Sequence, residues 1–173
     1  DEQIPISQAD AKYKRYIGNG APKHFLSWSN NLTWRNFDLS VFFRGTFGFD
    51  VFNMRKYGMG LQGCGTDNVL RSAYLEDKNI RTGGGVISSY FLEDGSFIKL
   101  ENVTLGYNFT PKNRKLLDNM RIYLSAKNLF TLTGYSGNDP SIIDVNGIQP
   151  GVDSNSAYPT ATQLSLGVTL RFK

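Results

Sequence analysis

The chain has 173 residues, a formal net charge of +4, and 40% hydrophobic and 20% charged residues. No apolar run reaches the roughly 18 residues of a membrane helix, but a membrane β-barrel stays open because alternating strands average to a polar composition. The single cysteine excludes an internal disulfide and a cysteine-based zinc site. The positive charges are scattered and form no stripe along a phosphate backbone, so no nucleic acid is expected as a partner.

Five stretches alternate between apolar and polar residues, which is the pattern of strands with one apolar face. The apolar residues occupy even positions in SWSNNLTWR and odd positions in FDLSVFFRG, so the change of parity at Arg35-Asn36 predicts a two-residue hairpin turn. LENVTLGYNF, RIYLSAKNLF and QLSLGVTLRF continue the alternation. The sequence therefore predicts strands near 25–35, 37–46, 97–109, 121–131 and 163–172.

The connections between these strands alternate in length. The first is two residues and the third is short, whereas the other two, 47–96 and 132–162, are long. Short turns at one end and long loops at the other are typical of an outer-membrane barrel. We therefore predict that both long connections are extracellular loops.

The first long connection contains two local signals. VISSYFLEDGSF has an Asp94-Gly95 step between apolar residues, which predicts a small hairpin projecting from the loop. The competing assignment, a sixth spanning strand over 86–93, would reverse the direction of every later strand. Residues 67–79 favour a short helix with Asp67 or Asn68 as its cap.

The number of strands limits the fold. Five strands cannot close a barrel, since bacterial single-chain barrels start at about eight, and an open sheet in lipid leaves edge groups unpaired. Two interpretations follow: the chain is the carboxyl-terminal piece of a longer barrel, or it is a soluble carbohydrate-binding β-sandwich. The sandwich predicts that a second sheet buries Trp28, Trp34, Phe37, Val41 and Phe43.

Four strings in order resemble the SusC/RagA-type TonB-dependent transporters. They are IGNGAPKHFLSWSNNLTWRNFDLSVFFRGTFGFDVFN, YFLEDGSFIKLENVTLGYNF, RIYLSAKNLFTLTGYSGNDPSI and YPTATQLSLGVTLRF, and they extend from about Ile17 to Phe172. The resemblance implies an all-β fold, an antiparallel transmembrane β-barrel of about 22 strands. Residues 1–173 would supply about the last five of these strands, without the amino-terminal plug domain.

The resemblance also implies a function. It implies TonB-dependent import of oligosaccharides or peptides across the outer membrane of a Gram-negative cell, with no enzymatic activity and no cofactor. The implied partners are a SusD-like surface lipoprotein as a lid, TonB acting through an amino-terminal part, and the surrounding outer-membrane lipids and lipopolysaccharide. A related alternative is a TonB-dependent siderophore or cobalamin receptor, which shares the barrel but not the NFDLS and EDGSF strings.

The terminal LGVTLRF resembles the assembly signal of outer-membrane barrels. Gly167, Leu170 and Phe172 occupy its glycine, apolar and aromatic places, and an exposed strand edge with an aromatic end pairs readily with an insertion machine. Leu166, where a polar residue is commoner, and Lys173, after the aromatic, depart from the pattern. The alternation by itself also fits a plain amphipathic edge strand.

Candidate ligand residues are few. The only histidine, His24, has no serine–carboxylate arrangement beside it, and the acidic residues of the second long loop lack EF-hand spacing, so neither a catalytic nor a metal site is predicted. Ring faces and polar groups that suit a sugar or a lid occur in that loop. They are Tyr135, Asn138, Asp139 and Tyr158. Polar strand positions that would line a lumen include Asn31, Asn102 and Asn108.

Overall fold

The structure is a computed structural model that describes residues 14–60, 68–75, 87–111, 116–141, 150–154, 158 and 160–173. The chain divides into two compact units. The first, here called the loop unit, comprises Asp1–Pro22, Gly48–Gly95 and Tyr135–Tyr158. The second, here called the sheet unit, comprises Lys23–Phe47, Ser96–Gly134 and Pro159–Lys173.

The sheet unit is a five-stranded antiparallel sheet. Its strands are β1 (His24–Trp34), β2 (Phe37–Phe47), β5 (Phe97–Phe109), β6 (Leu117–Thr133) and β8 (Gln163–Phe172), in the order β1-β2-β5-β6-β8. Four of these strands lie within one residue of the predicted ranges at each end. The fourth in sequence, β6, begins four residues earlier than predicted, because an irregularity between Leu117 and Asn119 lets its start pair with the end of β8.

The five strands align their apolar positions into one continuous face. Two rows cross the whole sheet in register: Trp34, Phe37, Tyr107, Ile122, Val168 and Leu32, Leu39, Leu105, Leu124, Leu166. Neighbouring rings contact one another across the strands, with centroids 4.9 Å apart for Phe37 and Tyr107 and 5.6 Å apart for Trp28 and Phe43. Because the pleat has a period of two, this alignment places the polar residues on the opposite face.

The apolar face is exposed to the surroundings of the chain. Trp28, Trp34 and Phe37 are 55%, 66% and 43% exposed, and Leu166 is 76% exposed. The sandwich interpretation required these aromatic side chains to be buried, so the structure does not support it.

The loop unit is built on a small mixed sheet. Its strands are β3 (Asp50–Asn53), β4 (Leu92–Asp94) and β7 (Val152–Asp153), with β3 between an antiparallel β4 and a parallel β7. Helix α1 (Met54–Met59) follows β3 directly, and the side chain of Asn53 caps it by accepting a hydrogen bond from Lys56 N at 2.9 Å. A 3₁₀ helix over Ser89–Phe91 precedes β4.

Two local predictions in the loop unit need correction. The Asp94-Gly95 hairpin is wrong, because β4 pairs with β3 whereas β5 pairs in the five-stranded sheet. Gly95 serves close packing instead, since a Cβ there would lie 2.4 Å from the ring of Phe49. Helix α2 (Ser72–Leu75) falls inside the predicted range, but it begins four residues after Asn68, which therefore does not cap it; Asp67 lies outside the described residues.

Candidate functional site

The polar face of the sheet unit carries a charged network over three strands. Asp38 on β2 accepts hydrogen bonds from Arg121 Nε at 3.1 Å and from Asn108 Nδ2 at 2.7 Å, and its other carboxylate oxygen pairs with Arg121 Nη2. The side chains of Asp38 and Arg121 are 25% and 34% exposed. The network therefore lies at a partly shielded surface on which polar groups satisfy one another.

This network depends on a glycine in the intervening strand. Asp38 lies on β2 and Arg121 on β6, with Gly106 of β5 directly opposite Asp38. A Cβ at Gly106 would lie 2.5 Å from the nearer carboxylate oxygen of Asp38 and 2.7 Å from Arg121 Nε. Because Gly106 has no side chain, the side chains of Asp38 and Arg121 have room to meet across β5.

A second glycine on the same row accommodates an aromatic ring. Gly106, Tyr123 and Gly167 are successive partners across β5, β6 and β8. The ring of Tyr123 lies over Gly167, where a Cβ would come within 2.3 Å of it, and the Arg121 guanidinium lies 5.0 Å from the ring centroid. Together these groups form a belt, here called the polar belt, from Asp38 through Arg121 and Tyr123 to Gly167.

Hydroxyl and amide groups fill the next row of the polar face. Thr104 Oγ1 donates to Ser125 Oγ at 3.0 Å, and Ser125 Oγ donates to Asn102 Oδ1 at 3.3 Å. Of the asparagines predicted on polar faces, Asn102 and Asn108 thus participate in cross-strand hydrogen bonds, and Asn31 is exposed on β1 opposite Ser40. A surface of this kind offers donors and acceptors to a hydrated solute rather than a catalytic constellation.

Sequence reasoning missed the Asp38–Arg121 pair. The two residues are 83 positions apart in the chain, and local alternation places each only on the polar side of its own strand. Opposite charges on polar strand positions, with a glycine on the strand between them, were the available signal. Using that signal required the sheet order, which places β5 between β2 and β6.

The predicted assembly-signal residues lie on β8, an outer strand of the sheet. Gly167 faces the polar side beneath Tyr123, whereas Leu170 and Phe172 extend the apolar face and are 47% and 61% exposed. The arrangement offers a strand edge with an aromatic end, as the motif requires. The assembly role itself stays a prediction.

The predicted ligand contacts of the second loop are tied into the loop unit. Tyr135 is buried and donates to Asp153 Oδ2 at 2.6 Å, and burial together with this hydrogen bond raises the pKa of its hydroxyl. Asp139 is buried and accepts from the backbone and hydroxyl of Ser141 at 2.8 and 2.7 Å.

The other two predicted contacts lie at the surface. Asn138 is exposed and accepts from Arg55 Nη1 at 2.8 Å. Tyr158 is 88% exposed and presents a ring of the kind that sugars stack on. A ligand role for the four residues stays a prediction, although the burial of Tyr135 and Asp139 assigns their polar atoms to the fold.

A hub carboxylate also organises the loop unit. Glu93 on β4 accepts from Ser136 N at 2.8 Å and from Ser136 Oγ at 2.9 Å, and it lies 3.5 Å from Lys56 Nζ. Asn53 Nδ2 completes the set at 3.4 Å. These contacts join β4, α1 and the segment directly after β6, so they link described parts of the two long connections.

Two kinds of feature were sought among the described residues: groups of metal-ligating side chains and membrane-spanning helices. No group of three or more His, Cys, Asp or Glu side chains in the described ranges is arranged to hold a metal ion. Within the same ranges, no helix has the length and apolar character needed to cross a membrane.

Comparison with known proteins finds TonB-dependent receptors among the relatives of this chain. No family model matches the chain. It is 28% identical over 188 residues to TonB-dependent receptor P3 of Formosa agariphila, covering 96% of this chain and 18% of the relative. It is 28% identical over 153 residues to TonB-dependent receptor SusC of Bacteroides thetaiotaomicron, covering 83% of this chain and 14% of the relative.

Solved structures share the fold. The RagAB peptide importer in the closed-closed state matches with a TM-score of 0.76 at 24% identity, over 96% of this chain and 19% of that one. A structure of the RagAB peptide transporter matches with a TM-score of 0.73 at 23% identity, over the same shares. The chain spans less than one fifth of the length of these relatives. The resemblance that the four sequence strings indicated is confirmed: over nearly its whole length, the chain is similar to a segment of the SusC/RagA-type TonB-dependent transporters.

Proposed function

We propose that the chain is the carboxyl-terminal barrel segment of a TonB-dependent importer in the outer membrane of a Gram-negative cell. The observation that carries the proposal is the two-faced sheet. One face is a continuous exposed apolar surface, and the other is a hydrogen-bonded polar surface. A sheet of this kind is stable where lipid covers one side and water the other, which is the situation of a barrel wall.

The dimensions of the strands support this placement. β1 and β2 each have 11 residues and β5 has 13, and about 9–11 residues span a bilayer as a tilted strand. Aromatic rings gather at the end with the short turn, where Trp34, Phe37 and Tyr107 follow one another and Arg35 lies 5.0 Å from the Trp34 ring. Such a cluster fits the aromatic girdle at a membrane–water interface.

The polar face supports a transport role rather than catalysis. In the proposed barrel the polar belt and the hydroxyl row would line the lumen, where hydrogen-bonding groups suit a hydrated cargo. RagAB is a peptide importer; for the parent of this chain we propose an oligosaccharide or a peptide as cargo. Strands outside these residues would pair with the outer edges of β1 and β8 to close the barrel of about 22 strands.

The proposed partners follow from the long connections and from the parts of the relatives that lie outside the matched segment. The loop unit would lie at the extracellular end, where a SusD-like lipoprotein would cover it. Energy would come from TonB through an amino-terminal plug region, and lipids and lipopolysaccharide would contact the apolar face. Gly167, Leu170 and Phe172 would guide insertion of the barrel.

The proposal is tested on the full-length parent protein. We expect it in the outer-membrane fraction as a heat-modifiable band much larger than these 173 residues, with peptides from this chain near its carboxyl terminus. Phe172→Ala should lower the folded fraction, whereas the neighbouring Lys173→Ala should not. A soluble monomer that requires no detergent would overturn the proposal.

A further inference from the structure

The polar face of the sheet unit has a second charged group, outside the polar belt and at the end where the long connections leave. Arg44 on β2 and Lys99 on β5 are direct partners across the two strands, so both side chains lie on the same face. Arg44 Nε lies 3.3 Å from Glu101 Oε2, and these two side chains are 41% and 34% exposed. Lys99 is buried, and its Nζ donates to Thr160 Oγ1 at 3.4 Å. Two cations are thus held side by side next to Glu101.

The sheet unit has few carboxylates to balance these cations. Asp38 belongs to the polar belt, and Asp118 pairs with Arg171, whose Nε lies 3.8 Å from its Oδ2. The sequence of the unit contains no Asp or Glu besides these two and Glu101. Because like charges directly opposite each other on neighbouring strands are destabilising, the excess positive charge of the unit at this row favours an anionic ligand.

The guanidinium of Arg44 is oriented by its neighbours and still has donors to offer. Glu101 lies beside its Nε, and the ring centroid of Phe97 lies 5.7 Å from its Cζ, within the range of a cation–π contact. Within the described part of the chain, this guanidinium donates no hydrogen bond, and its Nε is a buried atom. A guanidinium binds a carboxylate through two parallel N–H groups. Because the ring and the ion pair already restrict the side chain, little conformational entropy is lost when it binds.

We propose that Arg44 and Lys99 form a subsite for a carboxylate of the transported cargo. The inference rests on the proposed function, because this face lines a lumen only in a barrel, and it narrows the cargo to peptides or oligosaccharides that carry a carboxylate. Arg44 binds the carboxylate through its terminal nitrogens, and Lys99 adds a positive charge on the neighbouring strand. Because Arg44 is partly exposed, the affinity should fall as the ionic strength rises.

The test measures the affinity of the full-length protein, purified in detergent, for two matched pairs of fluorescent probes. One pair is a peptide of alternating alanine and glutamate and its glutamine counterpart; the other is oligogalacturonate and its methyl ester. In one pair the carboxylate probe should bind at least about tenfold more tightly than its neutral partner, and that pair identifies the class of cargo. Arg44→Gln should reduce this preference to less than about twofold. Arg171→Gln is the matched control, because it removes the same charge from another arginine–carboxylate pair of the sheet unit, and it should keep the preference.

Glu101→Gln separates ligand binding from a purely structural ion pair. Without the carboxylate that competes for Arg44, the carboxylate probe should bind up to about fivefold more tightly. A pair that only stabilises the sheet would instead make Arg44→Gln and Glu101→Gln behave alike. If Arg44→Gln gives no heat-modifiable band, Arg44→Lys keeps the charge but loses one of the two parallel hydrogen bonds, and it should lower the affinity about threefold.

Several results would overturn the assignment. If neither carboxylate probe binds the wild type more tightly than its neutral partner, the subsite does not exist. A preference that survives Arg44→Gln, or that falls equally in Arg44→Gln and Arg171→Gln, would assign it to other residues or to the overall charge. Any of these results in a protein that inserts normally refutes only this inference, whereas absence from the outer membrane refutes the proposed function.

Discussion

Replacing Gly106 by alanine tests the physical basis of the polar belt. The added Cβ would lie 2.5 and 2.6 Å from the carboxylate oxygens of Asp38 and 2.7 Å from Arg121 Nε. These side chains hold each other, so neither moves away without weakening the Asp38–Arg121 pair. Gly106→Ala therefore acts as a wedge between two strands that are not neighbours.

The expected cost follows from three contributions. One methyl forced against side-chain atoms costs about 1 kcal/mol, the low end of overpacking. The pair is partly exposed, at 25% and 34%, so its loss is screened by solvent and costs about 0.5–1 kcal/mol. Removing glycine from a strand interior returns about 0.5 kcal/mol. We expect the free energy of unfolding to fall by about 1–1.5 kcal/mol.

The assay is a urea titration of the full-length protein folded into lipid vesicles, followed by tryptophan emission. Gly134→Ala is the matched control, because nothing lies within 4 Å of the added Cβ, and it should change the free energy by less than about 0.5 kcal/mol. In an Asp38→Ala background most of the clash is gone, so Gly106→Ala should then cost less than about 0.5 kcal/mol. An unchanged penalty in that background would refute the wedge explanation.

Three further predictions test the two faces and the loop unit. Leu166→Arg places a charge on the apolar face and, at about 2–4 kcal/mol near a bilayer midplane, should abolish the heat-modifiable band; Ser165→Arg on the polar face should not, and equal effects would contradict the assignment of faces. Glu93→Ala removes the acceptor of the Ser136 backbone N–H and hydroxyl, at a cost of about 1–3 kcal/mol. The loop unit of this variant should be cut faster in limited proteolysis than the wild type, and the loop unit of the Glu93→Gln variant should be cut more slowly than that of Glu93→Ala. Because burial raises the pKa of Tyr135 above its usual 10.0, the unfolded chain ionises first, and the wild-type loop unit should lose stability as the pH rises above that value. Tyr135→Phe should lower stability by about 1–2 kcal/mol at neutral pH yet remove this alkaline loss, as measured by limited proteolysis across pH; a retained loss would assign it to another group.

The strands themselves were predictable because a local rule governs them. Alternation with a period of two places Leu164, Leu166 and Val168 on one face whatever the rest of the chain does. The turn at Arg35-Asn36 was visible as a change of parity, and Arg35 has the positive φ of 53° that such a tight connection requires. These features depend on neighbours a few residues apart, so a single sequence contains them.

The loop unit was less predictable because its contacts are distant in sequence. Asp94-Gly95 has the composition of a hairpin turn, yet β4 pairs with β3, about 40 residues earlier. Tyr135 and Asp139 looked like ligand residues because aromatic and acidic side chains in a polar loop suggest binding. Their burial depends on partners such as Asp153, which no local pattern reveals.

The sequence alone determined that this chain forms amphipathic antiparallel strands with long connections at one end, because the side-chain period and the turn residues are local properties. The tertiary structure decided which strands are neighbours, and with that the polar belt. Asp38 meets Arg121 only because β5 lies between their strands and has a glycine at that row. On the apolar face, Leu26 and Ile98 lie on either side of Gly45 only because β2 lies between β1 and β5. Register between distant segments is a property of the whole sheet, since one residue of slippage would exchange the two faces of a strand.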